Sequence, residues 1–294
     1  MVQASPAPVY LLLNSRFHSP EAYAASGCAR LAAVLDSVLT AGTVAGVVYA
    51  DAILLTALAR HAPTLARALE AVPSVNCGLD SWDKARQHLE MAESLGFRLP
   101  RILVPDRALN RIPARLAEFR HAMRVELPGA ALHLLANEGC LWQCPYKPAH
   151  DALMACARCA GHTGGGVFKT LQDAACLRRY WDEPWRVLAS PFIRPEDLPL
   201  LAGVADGVKL GGRSRGARAM QMVIRAYVAG RYEGNLLELL DTAEALAGCL
   251  HLSNHRLPGD FHAVVSACDK DCARCGWCRK VACNTIRRKN ISLE

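Results

Sequence analysis

Short apolar runs alternate along the chain with longer stretches in which apolar residues return every three or four positions. Val9 to Leu13 is apolar and stops at Asn14, and Glu21 to Leu39 then carries Ala, Leu and Val at helical spacing, predicting one strand followed by one helix. The rhythm repeats. Val44 to Ala50 is β-branched and ends at Asp51, and Ala52 to His61 reads as a helix closed by Pro63. A third run leads to Val75-Asn76, after which Ser81 is placed to cap a helix over Trp82 to Leu95 that stops at Gly96. Arg101 to Val104 reaches Pro105-Asp106-Arg107, with Arg115 to Met123 as its helix. The run Ala130 to Ala136 ends abruptly at Asn137. Further on, Arg186 to Ala189 is a weaker strand ending at Ser190-Pro191, and Gly207 to Leu210 ends at Gly211-Gly212-Arg213 before a helix over Ala217 to Val228.

About seven β/α repeats whose strands finish in Asn, Asp or Arg predict an α/β protein with a parallel, TIM-like barrel, because reactive residues of such sheets gather at the strands' carboxyl edge. An open doubly wound sheet is the competitor, although no Gly-x-Gly-x-x-Gly loop supports a dinucleotide site. Two regions break the rhythm. Residues 140–185 form a cysteine-rich insertion with Gly164-Gly165-Gly166 inside it, and residues 260–294 form a thiol-dense tail too small for an apolar core of its own. The predicted organisation is therefore a barrel-like domain over 1–259 and a metal-binding tail over 260–294.

Composition narrows the class. The chain has 294 residues, 52% of them hydrophobic, and a mean hydropathy of +0.10, enough for a substantial core. No stretch reaches the roughly 18 apolar residues of a membrane span, and Met1 to Pro8 lacks the pattern of a signal peptide, so a cytoplasmic protein is expected. The net charge of +7 permits a polyanionic partner, but apart from Arg279-Lys280 and Arg287-Arg288-Lys289 the positive residues are dispersed, and nucleic acid is not the favoured partner.

Thirteen cysteines change the picture. In a reducing compartment an odd number of thiols is a poor disulfide framework, and metal ligation explains them better. Cys28, Cys77 and Cys249 lie in apolar or helical surroundings and read as packing residues. The rest form two groups. In Asn137-Glu138-Gly139-Cys140-Leu141-Trp142-Gln143-Cys144-Pro145, a strand delivers two thiols to a sheet edge, with Cys176 as a third ligand and Cys156 or Cys159 as possible partners. Cys156-x-x-Cys159 also suits a redox pair or half a zinc site. In the tail, Cys268, Cys272, Cys275 and Cys278 have the compressed spacing of iron-sulfur ferredoxins, with Cys283 as a substitute and zinc as the alternative. Cys268-x-x-x-Cys272-x-x-Cys275 also satisfies the pattern of radical S-adenosylmethionine enzymes, but its position and Arg274 before the third cysteine argue against that reading.

Other residues complete the expected site. Arg194, fixed between Pro191 and Pro195, suits a carboxylate or phosphate, while Glu196 and Asp197 are candidate proton carriers or simply the first turn of a helix. Lys209 and Arg213 flank the Gly211-Gly212 turn as candidate anion-binding groups, and Asn137 at its strand end and His150, six residues past Cys144, are further candidate substrate-binding residues. Tyr227 and Asn235 read as packing and turn residues.

Taken together, Asn137-Glu138-Gly139-Cys140-x-x-x-Cys144-Pro145 with His150, Pro191-Phe192-Ile193-Arg194-Pro195-Glu196-Asp197-Leu198, Lys209 to Arg213 and Tyr232-x-Gly-Asn235-Leu236 resemble the collagenase-like U32 peptidase family. The resemblance implies an incomplete or modified α/β barrel and one or two iron-sulfur clusters, most simply 4Fe-4S. It places Cys140, Cys144 and Cys176 in the family's cluster region, and no single cysteine matches the fourth. It further implies support of oxygen-independent hydroxylation of a small aromatic or isoprenoid substrate, with an electron donor or a homologous partner subunit. RNA-base hydroxylation, proteolysis and a zinc-stabilised scaffold are the alternatives. Against proteolysis, the sequence holds no Ser-His-Asp set, His-Glu-x-x-His helix or evident Cys-His pair.

Overall fold

The computed structural model describes residues 7–40, 42, 44–161 and 165–289. The first six residues of the Met1 to Pro8 segment, Gly164 of the glycine run, and residues 290–294 of the tail lie outside the described residues. The chain divides into two compact units, each discontinuous: Met1–Asp106, Ala122–Leu132 and Pro148–Gly164, and Arg107–His121, His133–Lys147 and Gly165–Glu294.

In the first unit, β1 (Val9–Leu13), β2 (Val44–Tyr49) and β3 (Glu70–Pro73) form a parallel sheet in that order, with Val47 between Leu11 and Ala71. The close approach of β2 and β3 requires glycine at Gly46, where a Cβ would stand 2.3 Å from the Glu70 carbonyl oxygen. The helix expected over Glu21 to Leu39 is instead two, α1 (Pro20–Tyr23) and α2 (Ala25–Thr40), because Ala24 takes extended backbone. Gly27 permits the corner, since a Cβ there would meet the Glu21 carbonyl oxygen at 2.1 Å.

Asp51 begins α3 (Ala52–His61) by accepting from the amides of Ile53 and Leu54, and Pro63 opens α4 (Pro63–Ala68). Ser81 caps α5 (Trp82–Ser94) through the Lys84 amide. Leu35, Val47, Tyr49, Leu55, Leu58, Leu69 and Phe97 form the buried core between sheet and helices. The short strand β4 (Ile102–Leu103) pairs with the start of β5 (Ala131–Leu135), which follows α6 (Pro113–Glu126).

In the second unit His133 to Leu135 of β5 pair in parallel with β6 (Gly207–Lys209), which precedes α10 (Ala217–Ala229). The fold is α/β with parallel strands. A closed ring of strands is not found among the described residues, and the strand expected over Arg186 to Ala189 is a 3-10 turn at Pro184–Val187. Pro184 starts that turn, and burial of Trp185 and Val187 drives it without any strand pairing.

The cysteine-rich insertion, expected to be irregular, is helical: α7 (Lys147–Cys159), α8 (Gly165–Ala174) and α9 (Cys176–Asp182). Three helices follow in the tail, α11 (Phe261–Ala267), α12 (Cys272–Cys275) and α13 (Trp277–Thr285). Its last strand, β8 (Ile286–Arg288), pairs antiparallel with β7 (Leu250–Leu252), and Phe261 and Val265 are buried. The tail therefore has apolar and sheet anchors in addition to its thiols. No helix among the described residues is long and apolar enough to cross a membrane.

Candidate functional site

At the carboxyl ends of β5 and β6 the chain is held together by Asn137, which is wholly buried. Its Nδ2 donates to the carbonyls of Gly211 (3.1 Å) and Leu239 (3.0 Å), and its Oδ1 accepts from the Gly211 amide at 2.6 Å. Those three bonds tie three loops into one edge. The Asp241 amide donates to the Asn137 carbonyl at 2.7 Å and the Gly139 amide to the Asp241 carbonyl at 2.9 Å, so the loop before Cys140 runs as a short ribbon against residue 241. A Cβ at Gly139 would lie 2.7 Å from that of Ala243, so only glycine fits this approach.

Charge gathers on the same edge. Glu138 pairs with Arg107 at 2.8 Å with both side chains largely buried, and Lys209, Arg213 and Asp241 are close enough for their charges to interact with this group. Burial, aided by the Glu138 charge, holds the Asp241 carboxyl above the ordinary carboxylate range, whereas burial lowers the Lys209 ammonium.

Cys140, Cys144 and Cys176 all belong to the second unit. Cys140 and Cys176 are buried, Cys144 is half-buried, and all three are near enough to bear electrostatically on the phenol of Tyr180. Tyr180 lies one helical turn past Cys176 on α9 and donates to the Gly139 carbonyl at 2.8 Å, which locks α9 onto the Cys140 loop. Burial raises the Cys140 thiol well above its usual value and the Cys176 thiol to about 11. Gln143, beside Cys144, has φ +46°, and Thr242, opposite Cys140 with Sγ to Oγ1 at 3.9 Å, has φ +74°. Such backbone is costly for a non-glycine residue and persists only where its surroundings impose it.

The second set of thiols lies in the tail. Cys268, Cys272, Cys275 and Cys278 line one small cavity of about 30 Å³ with Trp185, Lys270 and Arg279. Lys270, at φ +65° between the first two thiols, donates to the carbonyls of Val265 (2.8 Å) and Cys268 (2.9 Å) and stands 3.4 Å from Cys268 Sγ. Arg186 and Arg279 each lie over the Trp185 ring, at 4.5 and 4.3 Å, and Glu183 pairs with both. Behind the cavity, the fully buried Arg111 lies over Phe192 (5.3 Å) and Phe261 (5.7 Å) and donates through Nη2 to the Ser190 carbonyl at 2.8 Å. Cys283 is exposed on α13.

Arg194, Glu196 and Asp197 occupy framework positions. Arg194 Nε and Nη2 each reach one Asp197 oxygen at 2.8 Å, with both side chains buried, so the fork expected to hold an external anion is filled from its own turn. Glu196 accepts from the Tyr232 amide (2.6 Å) and Asn254 Nδ2 (2.8 Å) through one oxygen, while its other, buried oxygen has no partner. Tyr227 donates to the Ile193 carbonyl at 2.7 Å, and Asn235 bonds the Leu250 carbonyl and the Leu252 amide, both packing roles.

His150, Cys156 and Cys159 belong to the first unit, where the two cysteines are exposed on α7. Tyr180, Asp241 and Thr242 escaped the sequence reading. Only Tyr180 left a signal there, its helical spacing from Cys176.

Among the described residues, no group of three or more His, Cys, Asp or Glu side chains is disposed to hold a single metal ion. A lone ion requires sulfurs converging to about 2.3 Å from one point. Thiols spread around a cavity suit a cluster of several irons better, and all-thiol donors are the soft ligands such clusters take.

No family model matches the chain. Over 187 residues, 63% of this chain and 53% of the relative, it is 32% identical to the uncharacterized protease MJ1657 of Methanocaldococcus jannaschii. The chain thus matches about half the length of that relative. The solved structure of the U32 peptidase Mk0906 aligns with 53% of this chain and 56% of its own, at 24% identity and a TM-score of 0.39.

Proposed function

We propose that this chain belongs with the U32 peptidases, as its 32% identity to an uncharacterized protease over 187 residues and its motifs suggest, and is an iron-sulfur protein that supports redox modification of a small aromatic or isoprenoid substrate, by oxygen-independent hydroxylation. The observation that carries this reading is Tyr180, which bonds the Gly139 carbonyl beside Cys140, lies one turn past Cys176, and feels the charges of Cys140, Cys144 and Cys176. Cys268, Cys272, Cys275 and Cys278 would hold a second group in the tail. Bound clusters supply electron transfer and, where an iron keeps an open position, a Lewis acid.

The surrounding residues have distinct tasks. Lys209 and Arg213 present positive charge to an anionic group on the substrate, and the Arg107–Glu138 pair fixes the electrostatics beside Cys140. Asp241, whose burial favours its protonated form, is the proton carrier, a role that Asp197 and Arg194 surrender to their mutual pairing. The buried Tyr180 and Leu141 keep water from the thiols.

Anaerobic purification followed by iron, sulfide and zinc determination and a visible spectrum tests the proposal. Iron and sulfide with a broad visible absorption are expected, and the double variant C140S/C144S should lose one chromophore while the tail's remains. Protein carrying zinc alone would end the redox reading and leave a metal-stabilised scaffold.

A further inference from the structure

Trp185 and Arg279, which line the tail cavity beside Cys268, Cys272, Cys275 and Cys278, also belong to a surface dense in arginine. It is built where α9, the turn at Pro184–Val187, α13 and β8 pack together. Arg178 pairs with Asp182 at 3.1 Å, and the one carboxylate of Glu183 faces Arg179 (3.8 Å), Arg186 (2.6 Å) and Arg279 (3.5 Å). Arg288 lies 4.3 Å from the centre of the Trp181 ring and donates to the carbonyl of that residue at 2.7 Å. Five guanidiniums thus share two carboxylates, and the surface stays positive. Arg178, Arg179 and Arg279 keep 54, 44 and 52% of their side chains exposed, so the excess charge reaches solvent. Asp269 and Asp271, which also line the cavity, do not cancel it, because Arg274 pairs with both, at 2.9 and 3.5 Å.

We propose that this surface docks an acidic one-electron carrier protein, which delivers its electron to the group held by the tail thiols. The inference rests on the iron-sulfur reading of the tail and adds the class of donor and the face it uses. Electron-transfer encounters are small and steered by opposite charge, and this surface sets its positive charge at the rim of the thiol-lined cavity. Glu183 already holds three of the guanidiniums, so little side-chain freedom is lost on docking. Carboxylates on the partner match the planar forks in pairs. A single-stranded nucleic acid would need aromatic faces on which to stack its bases, and guanidiniums already lie over both Trp181 and Trp185. One electron leaves the reduced carrier and enters the group in the tail. The carrier is oxidised, that group is reduced, and no bond or proton is exchanged at the interface.

The probe is an acidic plant-type ferredoxin, titrated calorimetrically into the iron-loaded full chain. Binding is expected at about 50 mM salt and should weaken on the order of 10-fold at about 300 mM. At low salt R279E/R288E should weaken it by a similar factor. R218E/R225E, an equal change of charge at exposed positions of α10, should leave it as it is. Equal weakening by the two pairs, or an iron-loaded wild type that does not bind, would overturn the proposal. If R279E/R288E lowers the melting temperature, R178E/R179E, which keeps both tryptophan contacts, reads the same surface, and wild-type affinity there overturns it as well. In anaerobic stopped flow, reduced ferredoxin should bleach the chromophore that remains in C140S/C144S, on the order of 10-fold more slowly once R279E/R288E is added. A rate indifferent to that addition refutes the docking face. Tighter binding of a uridine oligonucleotide than of ferredoxin would give the surface to RNA instead. Iron determination on the same sample separates the two claims: a zinc-only chain ends the iron-sulfur reading and the electron step with it, whereas an iron-loaded chain that ignores ferredoxin ends only the docking.

Discussion

The ammonium of Lys270 lies 5.8 Å from the centre of the Trp142 ring. Trp142 sits between Cys140 and Cys144, and Lys270 between Cys268 and Cys272, so the loops carrying the two thiol sets touch through a cation and an aromatic face. The same ammonium closes the end of α11 by bonding three backbone carbonyls.

Replacement of Lys270 with Met keeps the apolar stem but removes those bonds and the ring contact. A loss of about 1–3 kcal/mol is expected, read from the urea midpoint at constant slope. A midpoint unchanged from wild type would show that the two loops are held by other contacts.

Arg111 is 1% exposed, and burial pushes its guanidinium down to about 10. Arg111→Ala opens a cavity between Phe192 and Phe261 and orphans the Ser190 carbonyl, which predicts a loss of about 3–5 kcal/mol in chemical denaturation. Arg111→Lys should lose most of this as well, because an ammonium cannot reproduce the paired donation to Ser190.

Gly139→Ala forces its new methyl group against Ala243, with overpacking of about 1–3 kcal/mol and a displaced Cys140 loop. Gly129, around which a Cβ would meet nothing, is the control, and its Ala variant should melt as the wild type does. Equal melting temperatures for both variants would refute the close approach.

Stability should also depend on pH through His88, half-buried beside the Tyr49 hydroxyl at 3.1 Å. Burial first, and the Lys84 charge second, hold this imidazole below its ordinary value. The unfolded chain then binds the proton more readily than the folded one, so this contribution is complete above about pH 6.5 and declines as the pH falls below it. Thermal melts from about pH 8 to 5 should show a smaller acid-side decline in H88Q than in the wild type. Parallel declines would remove His88 from the account.

Much of the local structure was legible from residue pattern. β1 matches its expected span, α3 runs from Ala52 to His61 behind the Asp51 cap, and Ser81 starts α5. Errors fell where packing overrode pattern: Ala24 breaks one expected helix in two, and the apolar residues near Val187 turn instead of pairing. The insertion looked irregular because α8 and α9 are short and cysteine and glycine at the helix ends carry little periodic signal.

The sequence by itself determined the alternation of strand and helix, the placement of polar residues at strand ends, and the grouping of thiols, since each depends on neighbours a few positions apart. Tertiary structure alone decided which groups are free to act. Arg194 and Asp197 satisfy each other in the interior, whereas His18 and Asp51, 33 positions apart, meet at 3.1 Å. A buried charge must find its partner inside the fold, and the nearest such partner is set by packing, which spacing along the chain does not encode.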